Sequence, residues 1–484
     1  MLTGLLRLPI EGAILPSNLP ITIFAFLLTL GLVVVVHELG HFLFCKLFGV
    51  YVKTFSIGIG PKFLRKRWGE TEYVLSAIPF GGYVKMAGEG IMEEIQDTGT
   101  WEERKYPMGT EEGNAEAAGL DDHIPLERHF HSRPAWQRFL VFVAGPLFNL
   151  ILSFVIYTLL VLSNGLQTIP FTQIGEVTTG SPAETAGLLI GDQIITVDGA
   201  EVRNWSGVTF GMIPEANLEE TSTPPVEVIY ERDGLRGSAT IAPIFDEESQ
   251  RWNLGLRPWN TTVGLVQRGG PADKMGIEYG DVIQRVSGKA VTSFSGIAEI
   301  INESPDTPVL IEWVRDGQAM SGEVTPELTE IAPGEFKGRI FMEPFFGFDK
   351  VGLGESLKLG YSRTGDTIKV TVGVLGNFVR RELGLDAVGG PLRIGQAAGA
   401  MLRWSFSHLM YFVAFFSINL FLLNLMPIPV LDGGHVFFLV IEVLRGGRPV
   451  PERWQAIATQ VGLIVLLLFM TFVVVLDVWK VTGH

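Results

Sequence analysis

The run His37-Glu38-Leu39-Gly40-His41 could hold a metal ion inside an apolar stretch of the chain. On a helix the two histidines lie one turn apart, so both imidazoles can reach the same ion. Glu38 follows the first histidine and could act as general base on a water at the metal. Ionisable side chains are costly in a membrane helix and therefore indicate a functional site. The motif predicts zinc-dependent hydrolysis of a peptide bond within a bilayer.

A histidine pair that is merely hydrogen-bonded in a core is the alternative to a metal site. A catalytic zinc site usually has three protein ligands, so the two histidines need a partner. Asp432 is the favoured third ligand, because a carboxylate at a membrane edge most needs a cation. His435 is a rival ligand. Cys45 lies one turn beyond His41 and could face the same ion, but a small buried core residue is the favoured interpretation.

Pro427 and Pro429 predict a break in the third apolar segment, and broken backbone at membrane depth is tolerated where it lines a polar cavity. Asn424 lies just before this break. It could donate a hydrogen bond to the carbonyl that is cleaved or to its oxyanion. The alternative for Asn424 is a hydrogen bond that holds two helices together.

Four apolar segments are long enough to cross a bilayer. They cover about Ile21–Phe48, Phe139–Leu162, Leu409–Met426 and Ala456–Val478. Lysine and arginine cluster after the first segment, before the second, and between the third and fourth, which predicts that these loops are cytoplasmic. The long segment between spans two and three and both termini then lie on the opposite side. The zinc motif lies near the cytoplasmic end of its helix.

Composition agrees with a membrane protein. Mean hydropathy is +0.31 over 484 residues, which is high for a soluble protein. The formal net charge of −15 argues against general nucleic-acid binding, which needs basic patches. Cys45 is the only cysteine, so an intrachain disulfide is impossible. We therefore expect a polytopic α-helical membrane protein with four transmembrane helices and additional β-rich domains.

Residues 51–86 predict short strands at Tyr51–Ile57, Thr71–Ile78 and Tyr83–Met86. This sheet could lie at the membrane surface, where an extended substrate could add to its edge. A plain cytoplasmic hairpin is the alternative. Residues 88–127 are acidic and predict a flexible loop, with a gate over the site as the other interpretation.

One pattern occurs twice, in register, between about 165 and 345. Gly180-Ser181-Pro182-Ala183 and then Gly191-Asp192 form the first copy, and Gly270-Pro271-Ala272 and then Gly280-Asp281 form the second. The pattern resembles PDZ domains of the circularly permuted bacterial form, with a late strand at 253–258 in the first copy and 338–342 in the second. PDZ domains bind extended peptides and C-termini. A spacer or size filter is the alternative function.

The combination of motifs resembles the site-2 protease family of intramembrane zinc metalloproteases. It consists of the zinc motif, Gly145-Pro146-Leu147-Phe148-Asn149 in the second span, the tandem PDZ-like copies, and Asn424-Leu425-Met426-Pro427-Ile428-Pro429-Val430-Leu431-Asp432-Gly433. The segments 78–86 and 389–391 match this group as well. The resemblance implies Zn²⁺ ligands at His37, His41 and Asp432, and a catalytic base at Glu38.

The resemblance also implies which residues contact the substrate. Asn424 is one such residue, and the sheet around Gly81, Gly82 and Tyr83 would face the substrate as well. We add Pro427, which lies in the same motif as Asn424.

The expected protein is a multi-pass zinc endopeptidase of the bacterial inner membrane, with its PDZ domains in the periplasm. By resemblance its substrate is a single-pass anti-sigma factor that has already been cut on the periplasmic side, and remnant signal peptides form a second class. Cleavage would release a cytoplasmic fragment and activate an envelope-stress response. Two other functions are considered: a zinc-dependent transporter and a PDZ scaffold with an inactive metal site.

The expected domain organisation has eight parts. They are the first span with the zinc motif (1–50), the cytoplasmic sheet and acidic loop (51–135), the second span (136–164), PDZ domain 1 (165–260), PDZ domain 2 (261–346), amphipathic helices (347–404), the third span with the Leu-Asp-Gly motif (405–435), and a cytoplasmic loop with the fourth span (436–484).

Overall fold

The computed structural model describes residues 19–88, 124–212, 225–246, 251–332, 335–380 and 390–481. The α-helices are α1 (Leu19–Leu47), α2 (Ala135–Asn164), α3 (Pro182–Thr185), α4 (Trp205–Met212), α5 (Pro271–Met275), α6 (Phe294–Asn302), α7 (Leu353–Val379), α8 (Pro391–Trp404), α9 (Phe406–Asn424), α10 (Asp432–Leu444) and α11 (Glu452–Val481). Two short 3-10 turns, at Leu126–Arg128 and Phe130–Ser132, precede α2. Most of the predicted acidic loop, residues 89–123, lies outside the described residues.

The strands group into small antiparallel sheets. They are β1 (Val52–Trp68), β2 (Thr71–Met86), β3 (Leu166–Thr168), β4 (Ile174–Val177), β5 (Gln193–Val197), β6 (Ala200–Glu201), β7 (Val226–Arg232), β8 (Leu235–Ile241), β9 (Ile244–Asp246), β10 (Arg251–Asn253), β11 (Leu256–Pro258), β12 (Val263–Val266), β13 (Val282–Val286), β14 (Lys289–Ala290), β15 (Val309–Arg315), β16 (Gln318–Val324), β17 (Glu327–Ala332), β18 (Glu335–Arg339), β19 (Met342–Pro344) and β20 (Gly347–Asp349). Residues 161–352 form one compact unit, and the remaining described residues form another.

Four helices of the first unit are long and apolar enough to cross a membrane, as predicted. They are α1, α2, α9 and the part of α11 from Arg453 to Asp477, with mean hydropathies of 2.7, 2.4, 1.8 and 2.6. At 1.5 Å per residue, even the 19 residues of α9 approach the roughly 30 Å of a bilayer's hydrocarbon core.

Helix α8 packs closely on α1 because its glycines leave room for the other helix. A Cβ at Gly399 would lie 2.5 Å from Thr22 Oγ1, and Gly395 contacts the ring of Phe26. Small residues at such contacts let membrane helices approach each other. The N-terminus of α8 is capped from α11, since the buried carboxylate of Asp477 accepts from the backbone N–H of Gly390 at 3.0 Å. A carboxylate there also stabilises the helix dipole.

The region 347–404 contains two helices, α7 and α8. Helix α7 packs on α9 and α2. Arg363 donates to the hydroxyl of Tyr411 at 2.6 Å, and the hydroxyls of Tyr157 and Thr367 lie 3.2 Å apart. These hydrogen bonds satisfy polar side chains inside an otherwise apolar helix assembly.

The sheet after α1 has two long strands, where we expected three short ones ending at Ile57, Ile78 and Met86. β1 runs on to Trp68, because Gly58 and Gly60 take positive φ values of 85° and 89° and bend the strand. Residues 72–75 of β2 pair with 54–57 on one side and with 64–67 on the other. Residues 82–86 pair with 52–57. The sheet therefore has two outer edges, residues 62–68 and residues 82–86.

An ion cluster fastens this sheet to the end of α1. Glu70 accepts from Lys46 at 2.5 Å and lies 2.8 Å from Arg128, which follows the undescribed segment. Burial alone would raise the pKa of Glu70, but the hydrogen bonds from Arg128 and Lys46 outweigh it and hold the pKa below its usual range. Glu70 is therefore ionised near neutral pH and holds both cations.

The second unit contains two copies of one arrangement, defined here as residues 174–258 and 263–344. Each copy has a strand, a short helix, a four-stranded sheet with a second helix, a two-stranded hairpin and a late strand that returns to pair with the first. The late strand of the second copy is Met342–Pro344, not 338–342 as predicted. Gly338 belongs to β18 instead, where it packs against the backbone of α6.

The Gly-Asp pair of each copy has the same structural role. Asp192 and Asp281 are buried, and each carboxylate accepts from one arginine, Arg232 at 2.6 Å and Arg315 at 2.7 Å. Each arginine also donates to a backbone carbonyl after the short helix. The turn is thereby fastened to the sheet, which explains why the spacing of the motif is the same in both copies.

Replacing Asp281 with Asn should weaken the second copy. The buried ion pair with Arg315 is lost, which costs about 3 kcal/mol of local stability. Hydrogen exchange of the β15 amides in the intact protein should speed up accordingly. The control is Asp316→Asn, because Asp316 is exposed and adjacent in sequence to Arg315. Equal exchange rates in the two variants would contradict a stabilising role of the buried pair.

Candidate metal centre

The structure brings His37, His41 and Asp432 together. Helix α1 places the two histidines on one face, with their Nε2 atoms 3.2 Å apart. The Asp432 carboxylate lies 3.2 Å from His37 Nε2 and 3.4 Å from His41 Nε2. One ligand atom from each residue falls within 4.8 Å of the others. Two imidazoles and one carboxylate form a donor set that suits zinc.

Helix α2 holds His41 in the orientation that a ligand needs. His41 Nδ1 lies 2.7 Å from the carbonyl of Val141, and the histidine is buried. Because a carbonyl only accepts, Nδ1 carries the proton and Nε2 is free for a cation.

Asn149 of α2 has the same role at His37. Its amide nitrogen is placed 3.3 Å from His37 Nδ1, while its oxygen is buried without a hydrogen bond among the described residues. Amide oxygen and nitrogen exchange places when the group is turned over. Turned over, the oxygen would accept from Nδ1–H of His37 and leave Nε2 to the metal. A metal-binding His37 therefore gives the Asn149 oxygen the hydrogen bond that it otherwise lacks.

Two glycines let α1 and α2 approach closely at the site. A Cβ on Gly145 would run into His41 Nε2 and lie 2.8 Å from His37 Cε1. A Cβ on Gly40 would collide with the carbonyl of Ala144. There is room for the ligand atoms between α1 and α2 only because Gly40 and Gly145 lack a side chain.

Asp432 lies at the start of a separate helix, α10, within the part 405–435 that we expected to hold the third span and the Leu-Asp-Gly motif. The span α9 ends at Asn424, because Pro427 and Pro429 cannot extend a helix. Helix α10 also occupies part of the expected loop after 436. Its N-terminus packs directly on the turn before it: a Cβ on Gly433 would lie 2.5 Å from the Leu425 carbonyl.

Helix α10 is docked onto α2 at two further points. Arg138 of α2 makes a two-pronged ion pair with Glu442, with distances of 2.5 and 3.2 Å, and each side chain is only 14% exposed. The ring of His435 stacks on Phe142 with centroids 4.9 Å apart. His435 is thus a packing residue and does not join the described group of ligand atoms. Cys45 contacts Met86 instead, at 3.0 Å.

Glu38 lies beside the ligands and against the sheet. It is close enough to interact electrostatically with His37, His41 and Asp432. A Cβ on Gly82 would lie 2.8 Å from Glu38 Cγ, so the edge formed by 82–86 passes close to Glu38. Tyr83 belongs to the same edge, and Gly81 directly precedes it in β2. Asn424 ends α9 and Pro427 lies in the turn that leads to Asp432.

Sequence reasoning missed the residues that orient the ligands. Asn149 and Gly145 were noted only as part of a motif, and the pair Arg138–Glu442 was not identified. A polar Asn in the middle of an apolar span was the available signal, because such a residue needs a partner. The contact of the Val141 carbonyl cannot be predicted from the sequence, because every residue has a backbone carbonyl.

Replacing Asn149 with Leu should lower zinc affinity by roughly 10- to 100-fold, the usual effect of losing a group that orients a histidine ligand. Zinc content measured against a competing chelator would show this. The matched control is Asn419→Leu, since the one hydrogen bond of Asn419 within the described part of the chain goes to the carbonyl of Phe415 in its own helix. Unchanged affinity in the Asn149 variant would refute its orienting role.

Replacing Gly145 with Ala should abolish zinc binding, because the methyl group would overlap His41 Nε2 and lie 2.8 Å from His37 Cε1. Zinc content of the purified protein is the measurement. Gly31→Ala on α1 is the control, as a Cβ there meets nothing within 4 Å. A Gly145 variant that retains full zinc would show that α2 can move away from the site.

The family model of peptidase family M50 matches residues 25–469. A regulator of sigma-E protease, RseP, from Salmonella typhimurium is 31% identical over 463 residues, which are 92% of this chain and 96% of the relative. RseP of Escherichia coli is 30% identical over 464 residues, again 92% and 96%.

A Vibrio cholerae protein assigned as a zinc metalloprotease is 31% identical over 461 residues, 90% of this chain and 94% of the relative. Among solved structures, the PDZ domain of an SdrC-like protein from Listeria monocytogenes matches 18% of this chain and 90% of its own, at 20% identity. Its TM-score of 0.16 is too low to establish a shared fold.

Proposed function

The chain belongs to peptidase family M50 and is a zinc metalloprotease of the site-2 type, and we propose that it cleaves single-pass membrane proteins within their spans. One observation carries this proposal: three ligand atoms and an adjacent carboxylate converge within and beside an apolar helix long enough to cross a membrane. Ionisable side chains at membrane depth are costly and therefore indicate a functional site.

We propose that His37, His41 and Asp432 hold the zinc ion. When bound, zinc lowers the pKa of a water and polarises the carbonyl to be cleaved. Glu38 is placed to take a proton from the attacking water and to return it to the leaving amine. Val141 and Asn149 keep the protons of the two imidazoles on Nδ1, away from the ligand atoms.

The substrate must be extended at the cut, because a peptide bond in a helix is hydrogen-bonded and shielded by side chains. Residues 82–86 form the outer strand of the sheet beside Glu38, so a locally unwound segment could add to it as a further strand. Gly82 keeps this edge close to the base. We propose that Gly81, Tyr83 and Pro427 line the same path and that Asn424 donates to the substrate carbonyl.

The names of two relatives support the proposed class of substrate. Two are named regulators of sigma-E protease. We propose that this chain likewise acts on a single-pass anti-sigma factor after a first periplasmic cut, releasing a cytoplasmic fragment in an envelope-stress response. Remnant signal peptides are the second proposed class.

The positions of lysine and arginine beside the spans support a location in the bacterial inner membrane with a defined orientation. In this orientation the active site lies toward the cytoplasm, and both termini and the two copies lie in the periplasm. We propose that both copies are PDZ domains that restrict access of substrates with bulky periplasmic domains or bind a newly formed C-terminus.

A transporter and an inactive scaffold fit the site less well. Coupled transport would need carboxylates in several spans, yet α2 contains no Asp or Glu and Asp477 of α11 is used to cap α8. A structural zinc site would not need Glu38 beside its ligands.

The Glu38→Gln variant should retain zinc but lose at least a hundredfold in cleavage rate, because proton transfer by a placed base contributes about 10²–10⁴-fold. The measurement uses purified protein and a tagged single-pass anti-sigma factor lacking its periplasmic domain. Chelation should stop the wild-type reaction, and added zinc should restore it.

The same assay separates the chemistry from the choice of substrate. Full cleavage by Glu38→Gln would eliminate Glu38 as the base. Cleavage of many unrelated spans by the wild type, with Glu38 still essential, would retain the enzyme and reject the proposed substrate class. A substrate with its periplasmic domain intact should be cut more slowly. An equal rate would contradict the proposal that the two copies restrict access of such substrates.

A further inference from the structure

The outer strand of the sheet, residues 61–68, is exposed along its whole length. Phe63 and Trp68 are 74% and 78% exposed, and Leu64 is exposed as well. Three large exposed apolar side chains along one edge strand are unusual for a surface in water. The opposite edge, 82–86, lies close to Glu38, so the two edges of this sheet have different surroundings.

Four cations are interleaved with these apolar side chains. Lys62, Arg65 and Arg67 pair with Ser76, Val74 and Glu72, so these three cations share one face of the sheet, while Lys66 and Trp68 pair with Tyr73 and Thr71 and share the other. Both faces therefore carry positive charge, and Lys66 shares its face with an aromatic ring.

Little negative charge in the sheet opposes these cations. Glu72 pairs with Lys62 at 2.7 Å. Glu70 is already held by Lys46 and Arg128. Four cations thus face one remaining carboxylate, a net charge of +3, and no ion pair among the described residues engages Arg65, Lys66 or Arg67. Charges on an edge strand also prevent strand pairing between molecules, but that role needs no exposed aromatic rings.

The strand belongs to a sheet that begins within a few residues of the end of α1, a candidate membrane span. Aromatic side chains favour the boundary between lipid and water, and clustered lysine and arginine beside a span bind anionic lipid. We propose that residues 62–68 form a binding site for anionic phospholipid headgroups, with Arg65, Lys66 and Arg67 meeting the phosphates and Trp68 inserted at the boundary. The lipid would thereby set the depth of the sheet.

The test uses the full chain in nanodiscs of phosphatidylglycerol and phosphatidylcholine at fixed proportions, with bromine on the acyl chains of one lipid or the other. Bromine quenches nearby tryptophan fluorescence, and the signal of Trp68 is the difference between wild type and Trp68→Phe. Each basic residue near an anionic surface strengthens attraction roughly fivefold. Per bromine, phosphatidylglycerol should therefore quench Trp68 several-fold more than phosphatidylcholine. Added salt should reduce this preference in the unaltered protein.

The charge variant is Arg65→Gln with Lys66→Gln and Arg67→Gln, which should bring the two lipids to equal quenching. The matched control changes three exposed cations of the second unit, Arg236, Lys274 and Lys289, to Gln and should keep the preference. Equal quenching by both lipids in the wild type would overturn the proposal, and so would a preference that survives both salt and charge removal. Absence of quenching by either lipid would also overturn it, and would favour an acidic protein segment as the occupant of the strand.

Discussion

The site depends on the need to pair every polar group inside an apolar helix assembly. Helix α2 contains no His, Cys, Asp or Glu, yet it positions all three ligand residues. Asn149 meets His37, the carbonyl of Val141 meets His41, and Arg138 holds the helix that begins with Asp432. Since an unpaired polar group in hydrocarbon costs several kcal/mol, each contact fixes an orientation. The three residues that are positioned to bind a metal are thus oriented by a helix that contributes no member of this group.

The same principle explains how α2 is kept in place. The backbone carbonyl of Asn149 accepts from Ser417 of α9 at 2.8 Å, and Ser153 donates to the carbonyl of Ala414 at 2.8 Å. These hydroxyls are buried. Asn149 therefore contacts His37 through its side chain and α9 through its backbone. Helix α9 leads to the turn that ends at Asp432. The two halves of the ligand set, far apart in sequence, are joined through α2.

Much of the site could be predicted from sequence because its chemistry is local. The spacing of His37 and His41 needs only a helix, and Asp432 is conspicuous as a carboxylate beside an apolar segment. The position of Asp432 at the start of α10 was not predictable, since it depends on how closely Gly433 packs on the preceding turn. The pair Arg138–Glu442 joins residues 304 apart in the chain, and no local pattern marks it. Residues 62–68 were not predicted as a strand, because both faces are exposed and the sequence shows no alternation of apolar and polar residues.

The cap on α8 has a consequence for the order in which the protein assembles. The backbone N–H of Gly390 donates to the carboxylate of Asp477, which lies 87 residues later in the chain, in α11. Helix α8 in turn packs on α1, the helix that carries His37 and His41. Spans leave the ribosome in sequence order, so α8 remains uncapped until α11 has been made. The packing around α1 is therefore completed only once α11 has been made, and a chain that stops before α11 lacks this support.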